Sequence, residues 1–253
     1  SEAYPDSEFA YDESWNDAVL LEHLLTHQGG FYDYVDATAS SDDADLAGWH
    51  VDFFFPNLWL MNEPGAFWNY ANPNFDIAGL VVEHHDERYY PDIMLQDVFG
   101  PLGMDRTMQR KSEVQADGDF AEGTGYYIDG AGHAYGAVSI DDVPDAAAGR
   151  PAGVSTWSTP AQVMQMVRFL IEGESAVLED QWRTSMTQAK VNLGYGDDSA
   201  YGYGVFVESG FQATQTDYYE LPIWDHGGNT SSYSSALYIA PEQSFAVSVL
   251  SSG

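Results

Sequence analysis

Two short segments carry side chains whose types and spacing could do chemistry. Pro64-Gly65-Ala66-Phe67-Trp68-Asn69-Tyr70-Ala71-Asn72 sets a phenol two residues before a carboxamide. Asp225-His226-Gly227-Gly228-Asn229-Thr230 sets an imidazole before two glycines. Phenols and imidazoles are proton-transfer groups, and paired glycines let another chain approach a backbone closely. Taken singly, each segment also reads as plain structure. Tyr-x-Asn recurs by chance, and His-Gly-Gly suits a simple turn. Cysteine is absent, so neither a thiolate nucleophile nor a disulfide framework is available.

Other groupings compete with these two. His23 and His27 stand four apart in a helical pattern, a spacing that would suit a metal, but no third ligand beyond Glu22 is near in sequence. His84-His85-Asp86-Glu87 follows an apolar helix and reads as a solvated helix end. Asp42-Asp43-Ala44-Asp45 does not match a calcium-loop spacing. Asn229-Thr230-Ser231 fits a glycosylation sequon and is taken as chance. The aromatics Phe53, Phe54, Phe55, Trp59 and Trp68 read mainly as core, with part of the cluster available to line an apolar acyl pocket. No metal and no cofactor is expected.

The elements that must position these residues follow from periodicity. Val19 to His27 is a short apolar run closed by Gly29-Gly30, a helix stop. Pro73 opens a buried helix through Phe75, Ile77, Ala78, Leu80, Val81 and Val82. Tyr90, Ile93, Met94 and Val98 follow at helical spacing up to Gly100-Pro101. Thr159, Pro160 and Gln162 form a capped start and a capping box, and Val163, Met166, Val167, Leu170 and Ile171 make one stripe ending at Gly173. Residues 36–47 read as a surface loop, and 112–150 as long loops with short extended pieces. Tyr201 to Val207, Tyr233 to Ile239 and Phe245 to Leu250 read as strands, the last two joined by the turn Ala240-Pro241-Glu242-Gln243. Helices first and an antiparallel hairpin last predict an α+β fold, with a helical lobe over residues 12–195 and sheet strands over 200–253.

Composition narrows the partners. Of 253 residues, 40 are acidic and 8 basic, for a formal charge of −32. Such a surface repels phosphate, which excludes nucleic acid and disfavours an anionic membrane. No apolar run reaches a membrane span. The acidity is spread along the chain, and Lys111 and Lys190 are the only lysines. That pattern predicts a surface adapted to high salt, where like-charge repulsion is screened.

Together and in this order, the motifs resemble those of the serine beta-lactamase, penicillin-binding-protein and esterase superfamily, in particular its class C beta-lactamase-like domain. The resemblance runs nearly end to end. Leu24-Leu25-Thr26-His27 looks like the "LLTH" helix end, and Pro64 to Asn72 like "P-G-x-x-F-x-Y-S-N". Asn74 to Gly79 and Phe99 to Met104 look like the segments that follow. Ala152 to Leu170 is similar to the "G-G-L-x-S-T-x-x-D" turn and helix, and Tyr201-Gly202-Tyr203-Gly204 to "Y-G-L-G-W". His226-Gly227-Gly228 falls where the family carries Lys-Thr-Gly or His-x-Gly.

The resemblance implies a single, partial beta-lactamase-like domain over 1–253 and serine acyl transfer on a small ester, amide or peptide. In that scheme Tyr70 relays protons at the serine, and Asn72 bonds the substrate amide or the catalytic lysine. His226, on the strand edge, orients the phenol or a substrate carboxylate. Gly227 and Gly228 admit the substrate backbone, and the N–H of Asn229 is one oxyanion donor. His-Gly-Gly in place of Lys-Thr-Gly leans toward esterase or peptidase activity over penicillin hydrolysis. The family's Ser-x-x-Lys is missing: no serine stands three residues before either lysine, and Thr187-Gln188-Ala189-Lys190 has only the spacing. The family's first strands and last helix are missing too, which predicts an apolar sheet face and an unpaired edge. The nucleophile is therefore expected on a companion segment or chain. The alternative is a catalytically inactive surface or assembly protein from a halophile. A location outside the cell is the expectation the family carries.

Overall fold

The computed structural model describes residues 13–33, 40–129, 132–194, 196 and 198–253. Seven α-helices are described: α1 (Leu21–Leu25), α2 (Asp45–Trp49), α3 (Pro73–Asp86), α4 (Tyr90–Ile93), α5 (Lys111–Asp117), α6 (Pro160–Glu172) and α7 (Asp180–Met186). Ten strands are found among the described residues: β1 (Gly123–Asp129), β2 (Gly132–Val138), β3 (Val191–Asn192), β4 (Ser199–Tyr201), β5 (Phe206–Glu208), β6 (Phe211–Gln212), β7 (Tyr218–Tyr219), β8 (Ile223–Asn229), β9 (Ser234–Ala240) and β10 (Phe245–Ser251).

Six strands form one antiparallel sheet in the order β10-β9-β8-β5-β4-β3. The strands β1 and β2 make a separate hairpin, and β6 pairs β7. This is the expected α+β arrangement of helices and antiparallel sheet. One apolar cluster ties Leu24, Phe31, Phe54, Leu60, Ala71, Ile77 and Ala78 together among the helices. A second joins Val167, Phe169 and Leu170 of α6 to Ile239 of β9. Each fully buried Leu, Ile, Val or Phe side chain among them contributes about 1.5–3 kcal/mol.

The helix α6 starts where its cap predicts. Pro160 occupies the first turn, and the Thr159 hydroxyl accepts the N–H of Gln162 at 3.3 Å. The box is only half made, because Oε1 of the Gln162 side chain instead accepts the N–H of Arg106, tying α6 to the loop before α5. The helix α3 begins at Pro73 as expected, but Val81 and Val82 are exposed on its far side.

Four expectations change. The first helix stops at Leu25, and His27 adopts a left-handed φ of 55° outside it. The loop expected over 36–47 gives way at Asp45 to α2, because Leu46 is buried; residues 36–39 lie outside the described residues. The stretch 112–150 holds a full helix, α5, and a hairpin of seven-residue strands. The single strand expected over Tyr201 to Val207 is two, β4 and β5. Gly202 donates to the Val205 carbonyl and Gly204 has a φ of 87°, so the chain reverses between them.

Among the described residues, the strand β10 ends the sheet and pairs only with β9. Phe245, Val247 and Val249 on it, and Tyr238 on β9, are all exposed. These residues share one face, since Val247 pairs with Tyr238. The opposite face carries Ile239 and Ala246 against α6.

Candidate active site

The segment 69–72 is strapped to residues 27–33. The N–H of Asn69 donates to the His27 carbonyl at 2.9 Å. Ala71, fully buried, lies against the same residue: its N–H and carbonyl stand 3.2 and 3.1 Å from Nδ1 of His27. The Asn69 amide donates to the Phe31 carbonyl. Asn72 donates to Oδ1 of Asp33 twice, from its backbone at 2.8 Å and its side chain at 3.0 Å. Tyr70 is thus held between two anchored neighbours.

An aromatic cluster surrounds it. The Tyr70 ring lies 4.3 Å from His27 and 6.2 Å from His226. Tyr201 stands 5.0 Å from His27 and edge-on to Phe206 at 4.9 Å, with Trp68 close to both. Tyr70 and His226, far apart in sequence, therefore meet. Burial raises the Tyr70 pKa, and the negative charges of Asp33 and Asp76 raise it further. Burial, then the nearby His226, lower His27 to about 3. Burial also lowers His226, against the opposing hydrogen bond to the Gly227 carbonyl.

His226 belongs to β8, an inner strand of the sheet. Its β5 ladder runs only from Ile223 to Asp225, while the β9 ladder continues to Asn229. The edge opens locally at His226, because the turn at Gly202–Gly204 draws the start of β5 away. Thr230 donates its N–H to the Tyr233 carbonyl, closing the turn between β8 and β9 on the β9 side. Backbone groups alternate sides along a strand, so the N–H groups of Asn229 and Gly227 face the open edge. A Cβ on Gly228 would stand 2.8 Å from the Ser235 hydroxyl.

Other candidates disperse. His23 accepts the Leu20 N–H while His27 is buried in the aromatic cluster beyond the helix, so the two share no helix face. Among the described residues no group of three His, Asp or Glu could hold a metal. Lys190 donates to Ser185 Oγ at 2.8 Å, whereas the Thr187 hydroxyl donates to the Thr184 carbonyl. Lys111 donates to the carbonyls of Asp141 and Val143. Sequence reasoning missed Asp33 and the side-chain role of Tyr201, whose hydroxyl stands 3.3 Å from Nε2 of His226. Tyr201 belongs to the Tyr201-Gly202-Tyr203-Gly204 segment, whereas no sequence pattern marks Asp33.

Helices combined with an antiparallel sheet in this α+β arrangement form a beta-lactamase/transpeptidase-like fold. The profile of the Beta-lactamase family matches residues 3–253, and the chain belongs to that family. It is 20% identical over 247 residues to Protein flp of Staphylococcus aureus, covering 93% of this chain and 43% of that protein. The chain thus spans less than half the length of that relative. Among solved structures, the octameric penicillin-binding protein homologue from Pyrococcus abyssi superposes with a TM-score of 0.71 at 20% identity, over 96% of this chain and 56% of that one. The penicillin-binding protein from Bacillus halodurans gives 0.68 at 21%, over 99% and 76%. The D-amino acid amidase from Ochrobactrum anthropi SV3 complexed with D-phenylalanine gives 0.66 at 21%, over 98% and 67%.

Proposed function

We propose that this chain belongs to a serine hydrolase that acts by acyl transfer on a small ester, amide or peptide. The observation that carries this reading is the meeting of Tyr70 and His226 beside the open edge of β8. The edge offers backbone donors to a substrate carbonyl, and the N–H of Asn229 serves as an oxyanion donor. Tyr70 relays the proton between nucleophile and leaving group. Asn72, its amide nitrogen turned to Asp33, presents its carbonyl oxygen as an acceptor for an ammonium or a substrate N–H.

The nucleophile and its lysine come from a companion segment or chain outside these 253 residues. Both lysines present are engaged elsewhere, and the charges acting on Tyr70 are negative. A phenol so placed needs a nearby cation before it can act as a base near neutral pH. The β10 edge, which no other described strand covers, and the exposed face of Phe245, Val247 and Val249 suit added strands from that companion. The likeness to an amidase solved with D-phenylalanine fits a small amide substrate, and His226-Gly227-Gly228 in place of Lys-Thr-Gly favours esterase or peptidase activity over penicillin hydrolysis.

Fluorophosphonate labelling of native material, followed by intact-mass analysis, tests the reading. The expected result is a labelled serine on a species or fragment beyond 27.9 kDa. Val249→Lys, which charges the open face, is expected to abolish that labelling while the chain still folds. A lone unlabelled chain of 27.9 kDa would replace the hydrolase with a non-catalytic surface or assembly protein. A label on Ser185 would move the nucleophile to the Ser185–Lys190 pair.

A further inference from the structure

We propose that Tyr201 is a positioning residue of this site: its buried hydroxyl, donating to Nε2 of His226, fixes that imidazole as the uncharged Nδ1–H form and biases the site against acyl donors that carry a carboxylate. The specificity half of this proposal rests on the hydrolase reading above; the positioning half does not.

The proton assignment follows from the partners. Nδ1 of His226 lies 2.6 Å from the Gly227 carbonyl oxygen, which can only accept, so Nδ1 carries the hydrogen. A neutral imidazole has one N–H, which leaves Nε2 a lone pair. The Tyr201 hydroxyl, 3.3 Å away, is therefore the donor. Tyr201 is completely buried, and burial followed by the nearness of Tyr70 drives its pKa upward, so the hydroxyl keeps its proton.

The surroundings reinforce a neutral ring. His27, Tyr70 and Phe206 line its side of the cluster, and Leu237 is its cross-strand partner on β9. None of these is a cation or a carboxylate, since His27 is held neutral by burial. Asp225, next along β8, has its carboxyl raised to about 6, by burial first and Glu208 second. A hydrogen bond donated to a lone pair stabilises the neutral form and opposes protonation. A substrate carboxylate binds well to a charged donor. A neutral imidazole with both nitrogens occupied offers it neither charge nor a free N–H.

The test reads His226 directly. Long-range proton–nitrogen spectra of the ¹⁵N-labelled chain report the tautomer, with the signal assigned by its loss in His226→Asn. The wild type is expected to show the Nδ1–H form at pH 7.5. Tyr201→Phe is expected to mix the tautomers and to raise the pH at which His226 titrates. An Nε2–H form in the wild type would overturn the positioning role whether or not the variant folds. So would an unchanged tautomer and titration in Tyr201→Phe.

The second readout uses the companion-bearing enzyme and a pair of acyl donors, one with a free carboxylate and one with its methyl ester. At pH 6, Tyr201→Phe should shift the ratio of their kcat/KM values about tenfold toward the carboxylate. An unshifted ratio alongside an altered tautomer would overturn the specificity. No turnover of either donor by the wild type would overturn the hydrolase reading and the specificity with it, while the tautomer decides the positioning role alone.

Discussion

The imidazole of His27 lies 4.3 Å from the phenol ring of Tyr70, tilted by 38°, and its Nδ1 lies against the backbone of the very next residue, Ala71. One buried side chain thus sets both the height and the tilt of the proposed proton relay. The left-handed backbone at His27 makes this possible, since it turns the ring inward just after α1 ends.

Acid should loosen this arrangement. His27 has a folded pKa of about 3 against an ordinary value of 6.5. Between these values the unfolded chain binds the extra proton, so stability from this group is complete above pH 6.5 and is lost as pH falls toward 3. Well below 6.5 the loss approaches about 1.4 kcal/mol per pH unit. The slope of denaturation free energy against pH between 6.5 and 4 should therefore be shallower in His27→Gln than in the wild type. Asp225 and His226 act in both proteins and cancel in the comparison. Equal slopes would refute a neutral, buried His27.

Tyr70→Phe should lower kcat at least about a hundredfold in the companion-bearing enzyme, the usual scale for a lost acid–base group. The packing against His27 survives in this variant, so the melting temperature should barely move. A near-normal rate would remove Tyr70 from the mechanism.

Buried and exposed ion pairs should separate cleanly. Arg150 is 1% exposed and bonds Asp43 and the buried Asp145, while Asp43 also holds Arg110. Removing the guanidinium leaves a buried carboxylate without its cation, so Arg150→Ala should cost about 3–5 kcal/mol. Arg168 pairs with Glu172 on the open face of α6, and Arg168→Ala should leave the melting temperature within experimental scatter. Comparable losses in the two variants would contradict this division.

Salt should stabilise the chain. With a formal charge of −32, repulsion acts over about 10 Å at 0.1 M salt and about 3 Å at 1 M. The melting temperature should climb as sodium chloride rises from 0.1 to 2 M. A flat or falling curve would count against a halophilic surface.

Local elements were legible wherever their signals were local. Thr159 and Pro160 announce α6, and the turn at Pro241–Gln243 joins β9 to β10 within a residue of expectation. The family-like segments around Tyr70 and His226 pointed to the two elements that meet. What escaped depends on contacts between distant residues. Nothing near Tyr201 announces that its hydroxyl will reach His226, and nothing near Asp33 announces Asn72. The reversal between β4 and β5 was hidden because aromatic and β-branched residues flank it on both sides and read as one strand.

The opening along β8 has a polarity of its own. From His226 to Asn229 it spans four residues, about 13 Å of extended chain. Gly227 and Asn229 turn their backbone groups outward, yet the Gly227 carbonyl is already occupied by the neighbouring imidazole. The gap therefore gives more hydrogen bonds than it receives. In a molecule whose surface turns anions away, this is a small patch of backbone that welcomes electron-rich oxygen. A ligand would be oriented there by where its carbonyls fall, and a chain offering only N–H groups at that spacing would find little to hold it.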